Sequence, residues 1–346
     1  MKIILNIPHR SSHGMCPING IRDLVEWRSI RDWSNEFLWG LGQGGGFAYL
    51  RFNAADPPRQ MYTGISTPRQ HRYLAGLLCA DFAEIENRAF RFSWDRAREA
   101  VDRNTPPVLG PLDMYHLLYY PELYHQRHIL IHFVLLVGYD EATAYVHDTD
   151  QDAVQEIPLN ELQLAWDVNV PGLGKRNRLA IVDIPQILPS DEALIRKSIA
   201  DQCQLMLHPP VSMVGIPAMK KIASEIAHWP EELGEDTAEK CLRQVREYLN
   251  SPPDLEGNHL TAGRDRYITF LQEAESMAGL DFSSAIQMLG ESMAIIPELA
   301  DAIRKKDLKK AATGFKQVAE AESAAYLELS QIVSQRIFDR HLPDHQ

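Results

Sequence analysis

The sequence is poor in three features that would define common protein classes: long hydrophobic runs, closely spaced cysteines and excess positive charge. Its longest apolar run, Ile129 to Gly138, is roughly half of the ~20 residues that a membrane-spanning helix needs. The four cysteines are widely separated, and no pair has the spacing of a zinc site or a redox dithiol. The 35 basic residues are outnumbered by 47 acidic ones, and a net charge of −12 repels phosphate backbones. We therefore expect no transmembrane helix and no membrane or nucleic-acid partner.

The amino-terminal segment and the cysteines together predict a cellular compartment. The apolar stretch before Pro8 is shorter than the hydrophobic region of a signal peptide. Unpaired thiols are typical of a reducing environment. We expect a cytoplasmic protein whose 346 residues, 45% of them hydrophobic, are enough to fill the cores of two domains.

The chain changes character near residue 188, which predicts an α+β domain at 1–187 followed by an all-α domain at 188–346. Thr67 and Ser93 are the expected N-caps of two helices in the first part. The predicted strands there are Phe47–Phe52, Pro107–Gly110, Ile129–Tyr139, Ala142–His147, Ala153–Pro158 and Arg178–Ile184. The predicted helices there are Pro17–Ile30, Pro68–Ala80, Trp94–Arg103 and Leu159–Asp167. The second part is predicted as helices Asp191–Leu207, Ile216–His228, Thr237–Asn250, Arg264–Ala278, Phe282–Arg304 and Leu308–Phe338.

Cys16 is the candidate nucleophile. It stands directly before Pro17, and the apolar residues after it recur at helical spacing. A cysteine at the N-cap of a helix faces unpaired N–H groups and the positive end of the helix dipole, which stabilise a thiolate. The alternative is a small buried side chain without a chemical role, which is the common fate of a free cysteine.

His132 and Asp148 are the candidate base and its orienting carboxylate. Residues 131–140 are predicted as a buried strand that opens with the histidine, and residues 144–148 as its hairpin partner. Antiparallel pairing would bring the His132 end close to the Asp148 end. A histidine whose second ring nitrogen donates to a carboxylate is the base that a nucleophilic cysteine needs. The alternative is a histidine that serves only the core.

Metal and nucleotide sites are the competing interpretations. Imidazole is a common ligand of transition metals, and five potential ligands lie within 24 residues: His125, His128, His132, His147 and Asp148. Their spacing crosses from a loop into a strand and does not follow one helix face, so we expect no bound metal. The Gly40–Gly46 run lacks the Gly-Lys-Ser/Thr ending of a phosphate loop and precedes a strand, so we expect no nucleotide there.

The order of these segments resembles the butirosin-biosynthesis H-type acyltransferases, whose N-terminal domain is similar to papain-like cysteine proteases. In that family a helical domain usually follows, and Gly257–Ala274 here is similar to it. The resemblance therefore implies a papain-like domain at 1–187 and a helical domain at 188–346. It rests on Cys16–Leu24, on Gly40–Gly46 continuing into Phe47-Ala48-Tyr49, and on the block from Asp113-Met114-Tyr115 to His132-Phe133-Val134.

The resemblance implies a reaction in the biosynthesis of specialised metabolites such as antibiotics. An acyl group would pass from the phosphopantetheine thioester of an acyl carrier protein to a small-molecule amine, through an acyl-cysteine. Carried over by motif, Cys16 is the nucleophile, His132 the base and Asp148 the orienting carboxylate. The thioester is then a co-substrate and no bound cofactor is expected. A homodimer is a further expectation.

The same resemblance indicates residues that would contact the substrate: His13, Gly44, Gly45, Asp113 and Tyr115. The family usually has a histidine directly before the cysteine, whereas Met15 stands there in this chain. We expect the backbone N–H of Cys16 to be one oxyanion-hole donor and a side chain within Ser11–His13 to be the other. Because 16 of the 18 basic residues in 1–187 are arginine, we expect an acidic carrier to dock on an arginine-rich patch.

Two other functions remain open. A papain-like peptidase, amide hydrolase or thioesterase would use the same three residues, because an amine or a water acceptor leaves no sequence motif. A carrier-protein-binding module without catalysis would need none of them.

Overall fold

The structure is a computed structural model that describes residues 2–12, 14–250 and 260–335. Its contacts divide the described chain into two compact units, one from within 1–42 and 66–190 and the other from within 43–65 and 191–346. None of the helices in these described ranges is both long and apolar enough to cross a bilayer.

The secondary structure of the described residues is as follows. The strands are β1 (Ile3–Ile4), β2 (Phe47–Arg51), β3 (Arg59–Thr63), β4 (Asp81–Ile85), β5 (Val108–Leu112), β6 (His132–Tyr139), β7 (Thr143–His147), β8 (Gln155–Pro158) and β9 (Leu179–Asp183). The helices are α1 (Cys16–Ser29), α2 (Asn35–Leu41), α3 (Thr67–Leu77), α4 (Phe90–Asp102), α5 (Leu159–Trp166), α6 (Asp191–Leu207), α7 (Gly215–Glu225), α8 (Trp229–Leu233), α9 (Glu235–Leu249), α10 (Arg264–Ala278), α11 (Ser283–Arg304) and α12 (Leu308–Ser334).

The first unit is built on an antiparallel sheet with the order β4-β9-β5-β6-β7-β8, and β1 also pairs with β6. In the hairpin of β6 and β7, Leu135 lies opposite His147. Strand β6 is central and buried along nearly its whole length, which is why its sequence is a continuous apolar run. His132 opens β6, so the sheet holds this histidine at the end of a rigid buried strand.

Helix α1 packs directly on the sheet, and Gly20 allows the close approach. A Cβ atom at Gly20 would lie 3.1 Å from the Cβ of Leu135 and 3.4 Å from Cγ2 of Val108. The neighbouring residues of β6, Val134 and Leu136, belong to the core formed with α4 and α5. Because side chains alternate along a strand, the sheet carries helices on both faces, and the one that begins with Cys16 is fixed in place.

The second unit combines the β2–β3 hairpin with the helices that follow residue 190. The amide of Gln244 in α9 replaces a strand partner for Met61: its Oε1 accepts from Met61 N at 2.8 Å and its Nε2 donates to Met61 O at 2.7 Å. Tyr49 in β2 donates to Glu225 at the end of α7 at 2.8 Å. These bonds join residues 43–65 to the helical unit.

A buried ion pair ties three of the carboxyl-terminal helices together. Arg264 of α10 binds both carboxylate oxygens of Glu322 in α12, with Nε at 2.8 Å and Nη2 at 2.9 Å. Ser292 of α11 donates to the same carboxylate at 2.9 Å. A buried charge needs such complete pairing, because removing its partner lowers the stability of the fold by about 3–5 kcal/mol.

The fold class predicted from the sequence is confirmed: an α+β part with an antiparallel sheet is followed by helices. The arrangement of the first unit is papain-like, since the helix that begins with the cysteine packs on the sheet that bears the histidine. The predicted boundary near residue 188 lies close to Asp191, where the larger segment of the second unit begins. The sequence analysis, however, placed the β2 segment in the first part, whereas residues 43–65 belong to the second unit.

Several local predictions were wrong in detail. Ser66, not Thr67, is the N-cap of α3, and α4 begins at Phe90, a turn before Ser93. Residues 129–131 do not extend β6, because Ile129 N donates to the side chain of Asp113 at 3.2 Å. The part of the last predicted helix beyond residue 335, and residues 257–259 of the family-like stretch, lie outside the described residues.

Candidate active site

Cys16 is the first residue of α1, with Met15 as the N-cap and Pro17 in the first turn. The prediction of Cys16 as the N-cap itself is therefore off by one residue, but the thiol still lies at the positive end of the helix. The side chain is partly exposed, and its Sγ lies 3.9 Å from the carbonyl oxygen of Ile131. The start of α1 is fixed by His71, whose Nε2 donates to the carbonyl of Pro17 at 2.6 Å.

His132 joins the thiol of Cys16 to the carboxylate of Asp148. Its Nε2 donates to Oδ2 of Asp148 at 2.6 Å, and the Cys16 side chain is one of the groups that raise the pKa of the His132 ring. Since Nε2 is engaged by the carboxylate, Nδ1 is the ring nitrogen left for another partner. The structure thus brings the three predicted residues together in the order cysteine, histidine, carboxylate.

Two tyrosines that the sequence analysis did not identify hold Asp148. Tyr119 donates to Oδ2 at 2.7 Å and Tyr120 donates to Oδ1 at 2.7 Å, and the amide of Asp150 reaches Oδ1 at 3.2 Å. The Asp148 side chain is fully buried, so these donors replace the water that a carboxylate otherwise requires. No local sequence pattern links Tyr119 or Tyr120 to Asp148, because they lie 29 and 28 residues before it.

The buried pair of His132 and Asp148 favours the charged form of both groups. Burial opposes the imidazolium, but the charge of Asp148 and the hydrogen bond to it outweigh burial and raise the pKa of His132 well above its ordinary value of 6.5. Burial likewise opposes the carboxylate, yet the charge of His132 and its hydrogen bond, with those of the tyrosines, lower the pKa of Asp148. An imidazolium is the partner that stabilises a cysteine thiolate.

A second buried cluster lies behind Asp148. His9 Nδ1 is 2.7 Å and His147 Nδ1 is 3.0 Å from the same Oδ2 of Asp23, and Arg22 binds the other oxygen. The Nε2 of His9 faces the backbone carbonyls of Asp148 at 3.1 Å and Gln151 at 2.8 Å. Both ring nitrogens of His9 therefore face acceptors, which requires the doubly protonated ring. This cluster connects α1 to the loop that carries Asp148.

The segment before Cys16 is hydrogen-bonded to residues that follow Asp148. Ser12 N donates to Thr149 O at 2.6 Å, and the Thr149 hydroxyl donates back to Ser12 O at 2.6 Å. The hydroxyl of Ser11, one of the proposed oxyanion-hole donors, binds Asp152. His13, the other named candidate and a predicted substrate contact, lies outside the described residues. The oxyanion-hole assignment stays a prediction.

Asp113 and Tyr115 are the other predicted substrate contacts of the first unit. In the structure their side chains contact neighbouring residues of the same loop region. The Asp113 carboxylate accepts from Tyr115 N at 3.1 Å and from Ile129 N at 3.2 Å, and lies 2.6 Å from Nδ1 of His128. Tyr115 stacks on His128 with ring centroids 4.1 Å apart. The carboxylate of Asp113 therefore caps a turn and holds His128.

Gly44 and Gly45 lie in the second unit. A Cβ atom at Gly45 would come within 2.9 Å of the Tyr267 ring and 3.0 Å of the Tyr326 hydroxyl, which donates to Gly45 O at 2.9 Å. The carbonyl of Gly44 lies near Gly64, at 3.2 Å from the position a Cβ would take there. The glycines allow close backbone packing within this unit, and their role toward a substrate stays a prediction.

Three of the histidines considered as metal ligands in the sequence analysis bind different carboxylates. His132 binds Asp148, His147 binds Asp23, and His128 binds Asp113. They do not form one ligand set. Chemically, the arrangement at Cys16 suits nucleophilic catalysis: a thiol at a helix start lies beside the segment that carries a histidine oriented by a buried carboxylate.

Comparisons with known proteins gave two family matches and a similar solved structure. Residues 15–149 match the family described as "Butirosin biosynthesis protein H, N-terminal". Residues 160–252 match a family described as a domain of unknown function, DUF4872. A solved structure described as a C39-like peptidase from Bacillus anthracis aligns with a TM-score of 0.37 and 15% identity, over 53% of this chain and 98% of that chain. The comparison with curated proteins gave no match.

The first family match spans Cys16, His132 and Asp148, and the order of the two matched domains is the one that the sequence resemblance implies. Residues 15–149 of the chain are therefore similar to the butirosin biosynthesis protein H N-terminal family, and residues 160–252 to the domain of unknown function.

Proposed function

We propose that this protein is a cysteine-dependent acyltransferase that moves an acyl group from a carrier-protein thioester to an amine. The observation that carries the proposal is the placement of three residues: Cys16 begins α1 with its Sγ 3.9 Å from the carbonyl oxygen of Ile131, and the next residue, His132, donates to the buried Asp148. The match to a family named for butirosin biosynthesis supports a biosynthetic substrate.

In the first step the Cys16 thiolate attacks the carbonyl carbon of the acyl thioester. The C–S bond to phosphopantetheine breaks, the leaving thiolate takes the proton held by His132, and acyl-Cys16 remains. Thioester exchange needs no external energy source, because the new bond is of the same kind as the old one. Asp148 keeps the imidazole in the orientation that serves both the sulfur and the leaving group.

In the second step an amine attacks acyl-Cys16 and gives its proton to His132. The bond between the acyl carbon and the Cys16 sulfur breaks, and the products are an amide and the Cys16 thiolate beside protonated His132, so the atoms balance without a redox partner. Attack by water in place of the amine would give a carboxylic acid, and the protein would then be a thioesterase or hydrolase.

A cytoplasmic location fits the thiol chemistry of this proposal. All four cysteines are free in the structure, as expected in a reducing compartment. The acyl carrier protein, the amine acceptor and an arginine-rich docking patch remain part of the proposal, as does the homodimer.

The test is the fate of the acyl group when purified protein meets an acyl-phosphopantetheine thioester with and without a panel of primary amines. We expect amide to form with at least one amine, and carboxylic acid to form slowly in its absence. Cys79→Ser is the matched control, because Cys79 is also in the first unit and exposed. Fast release of acid that no amine diverts would favour the hydrolase, and no reaction with any thioester would favour the binding module.

A further inference from the structure

A group of metal-ligand side chains lies apart from Cys16 in the first unit. His116 ends a short 3₁₀ turn, His125 lies in the following loop, and Glu161 is in the first turn of α5. Their ligand atoms all lie within 4.8 Å of one another. Oε2 of Glu161 is 3.1 Å from Nδ1 of His116 and 3.9 Å from Nε2 of His125.

These separations suit a tetrahedral ion. With metal–ligand distances of about 2.0–2.1 Å, the ligand atoms of a tetrahedral zinc site are roughly 3.3 Å apart. The two observed distances lie on either side of that value, so small side-chain movements would complete the site. Two histidines and one glutamate are also a common ligand set of zinc, with the fourth position left to water.

The His125 ring is held before any ion arrives. Tyr124 stacks on it with centroids 4.0 Å apart, and Tyr115 lies against it at 5.1 Å. His125 N donates to Tyr115 O at 2.9 Å. The backbone of His125 has a φ of +54°, a left-handed conformation that a residue other than glycine adopts only where its surroundings require it. A ligand that is already oriented loses little freedom on binding, which favours affinity.

The other cluster of this kind, formed by His9, Asp23 and His147, is a poorer site. There the second nitrogen of His9 is used by two carbonyls, and Arg22 places a positive charge on the same carboxylate. In the His116 cluster, by contrast, half of the His125 side chain is exposed, so an ion can enter from solvent.

We propose that His116, His125 and Glu161 bind a divalent transition-metal ion, with Zn²⁺ as the best match. The proposal departs from the expectation of no bound metal, and it does not depend on the proposed acyl transfer. The two histidines enclose the loop that carries Tyr119 and Tyr120, the donors to Asp148. A bound ion would therefore fix the loop that holds the orienting carboxylate.

The test is titration of the chelator-treated full chain with Zn²⁺ by calorimetry, and with Co²⁺ by its visible absorption. We expect one equivalent of Zn²⁺, a tetrahedral Co²⁺ spectrum and a rise in melting temperature on adding Zn²⁺. His125→Ala and Glu161→Gln should each weaken Zn²⁺ binding by about tenfold or more, since each removes a ligand.

Two matched variants distinguish this site from its neighbours. His128→Gln changes a nearby histidine that lies outside the cluster, and His147→Gln changes the competing cluster. Both should bind Zn²⁺ as the wild type does. Binding that His147→Gln abolishes and His125→Ala leaves intact would overturn the proposal. So would weak binding of several equivalents that none of the variants changes, or no binding of either metal.

Discussion

The three proposed active-site residues would differ in how directly they contact the acyl group. Cys16 would form the covalent bond, His132 would carry the proton, and Asp148 touches only the imidazole. Loss of each should therefore have a different kinetic effect, and the order of the effects tests the assignment.

We expect His132→Ala to slow acylation of Cys16 by a factor of about 10²–10⁴, the usual contribution of a positioned base. Asp148→Asn should do less harm, because an amide oxygen can still accept the hydrogen bond from Nε2 of His132. Rates of thioester consumption and melting temperatures should be measured on the same samples. If activity fell only in proportion to the loss of folded protein, His132 would have a structural role and no catalytic one.

Tyr120 acts through Asp148 and is a positioning residue. Tyr120→Phe removes one donor to the buried carboxylate while keeping the ring in the core. We expect the pH profile of acylation to shift to lower pH, because a carboxylate with fewer donors is less easily kept charged and supports the imidazolium less. An unchanged profile together with a lower melting temperature would assign Tyr120 a packing role alone.

The sequence alone could predict that Cys16, His132 and Asp148 lie near one another, because local patterns position them. A cysteine at a helix start and a histidine and aspartate at matching ends of one hairpin follow from periodicity and pairing. Tyr119 and Tyr120 could not be found in this way, since nothing local links them to Asp148, 28 residues away from Tyr120. His116 and Glu161 are likewise 45 residues apart, so the sequence grouped His125 with other partners.

At the scale of elements, the approach of β5 to the start of β6 depends on Gly110. Its φ is +142°, and a Cβ atom there would lie 2.6 Å from the carbonyl oxygen of His132. Gly110→Ala should therefore displace His132 and destabilise the fold by about 1–3 kcal/mol.

Denaturant unfolding and the acylation rate should both be measured for Gly110→Ala. Gly290→Ala in α11 is the control: no atom lies within 4 Å of its Cβ position, and alanine in a helix interior should add about 0.5–1 kcal/mol. If Gly110→Ala were as stable and as active as wild type, the close approach would have no consequence for the site.

The sequence predicted elements well where periodicity was long and poorly where pairing was distant. Helices α6 to α7 and α9 to α11 lie near their predicted positions, because each has an extended apolar stripe. Strand β1 has two residues and pairs with β6 far along the chain, and β4, in which two of the five residues are acidic, pairs with the distant β9. Such strands depend on their partners more than on their own residues.

At the scale of the whole molecule, His9 should make stability depend on pH. Burial would lower the pKa of His9, but the hydrogen bond and charge of Asp23, with the Gln151 carbonyl, raise it above 6.5. The folded state thus holds this proton more tightly than the unfolded state. The stabilisation is complete below about pH 6.5 and is lost as the pH rises through the higher value in the folded protein.

Urea unfolding between pH 6 and 9 should therefore show a steeper fall in stability for the wild type than for His9→Gln. His128→Gln, an exposed histidine in the same unit, serves as the control. Parallel curves for wild type and His9→Gln would mean that His9 is not a proton-linked contact between α1 and the loop of Asp148.

The central claim is that Cys16 carries the acyl group. The most direct measurement is the intact mass of the full chain after exposure to an acyl-phosphopantetheine thioester, followed by peptide mapping of the adduct. We predict one acyl group per chain, on the peptide that contains Cys16, and no adduct in Cys16→Ala, while Cys79→Ser is acylated as the wild type is. An adduct that persists in Cys16→Ala, or that maps to Cys79, Cys203 or Cys241, would contradict the account.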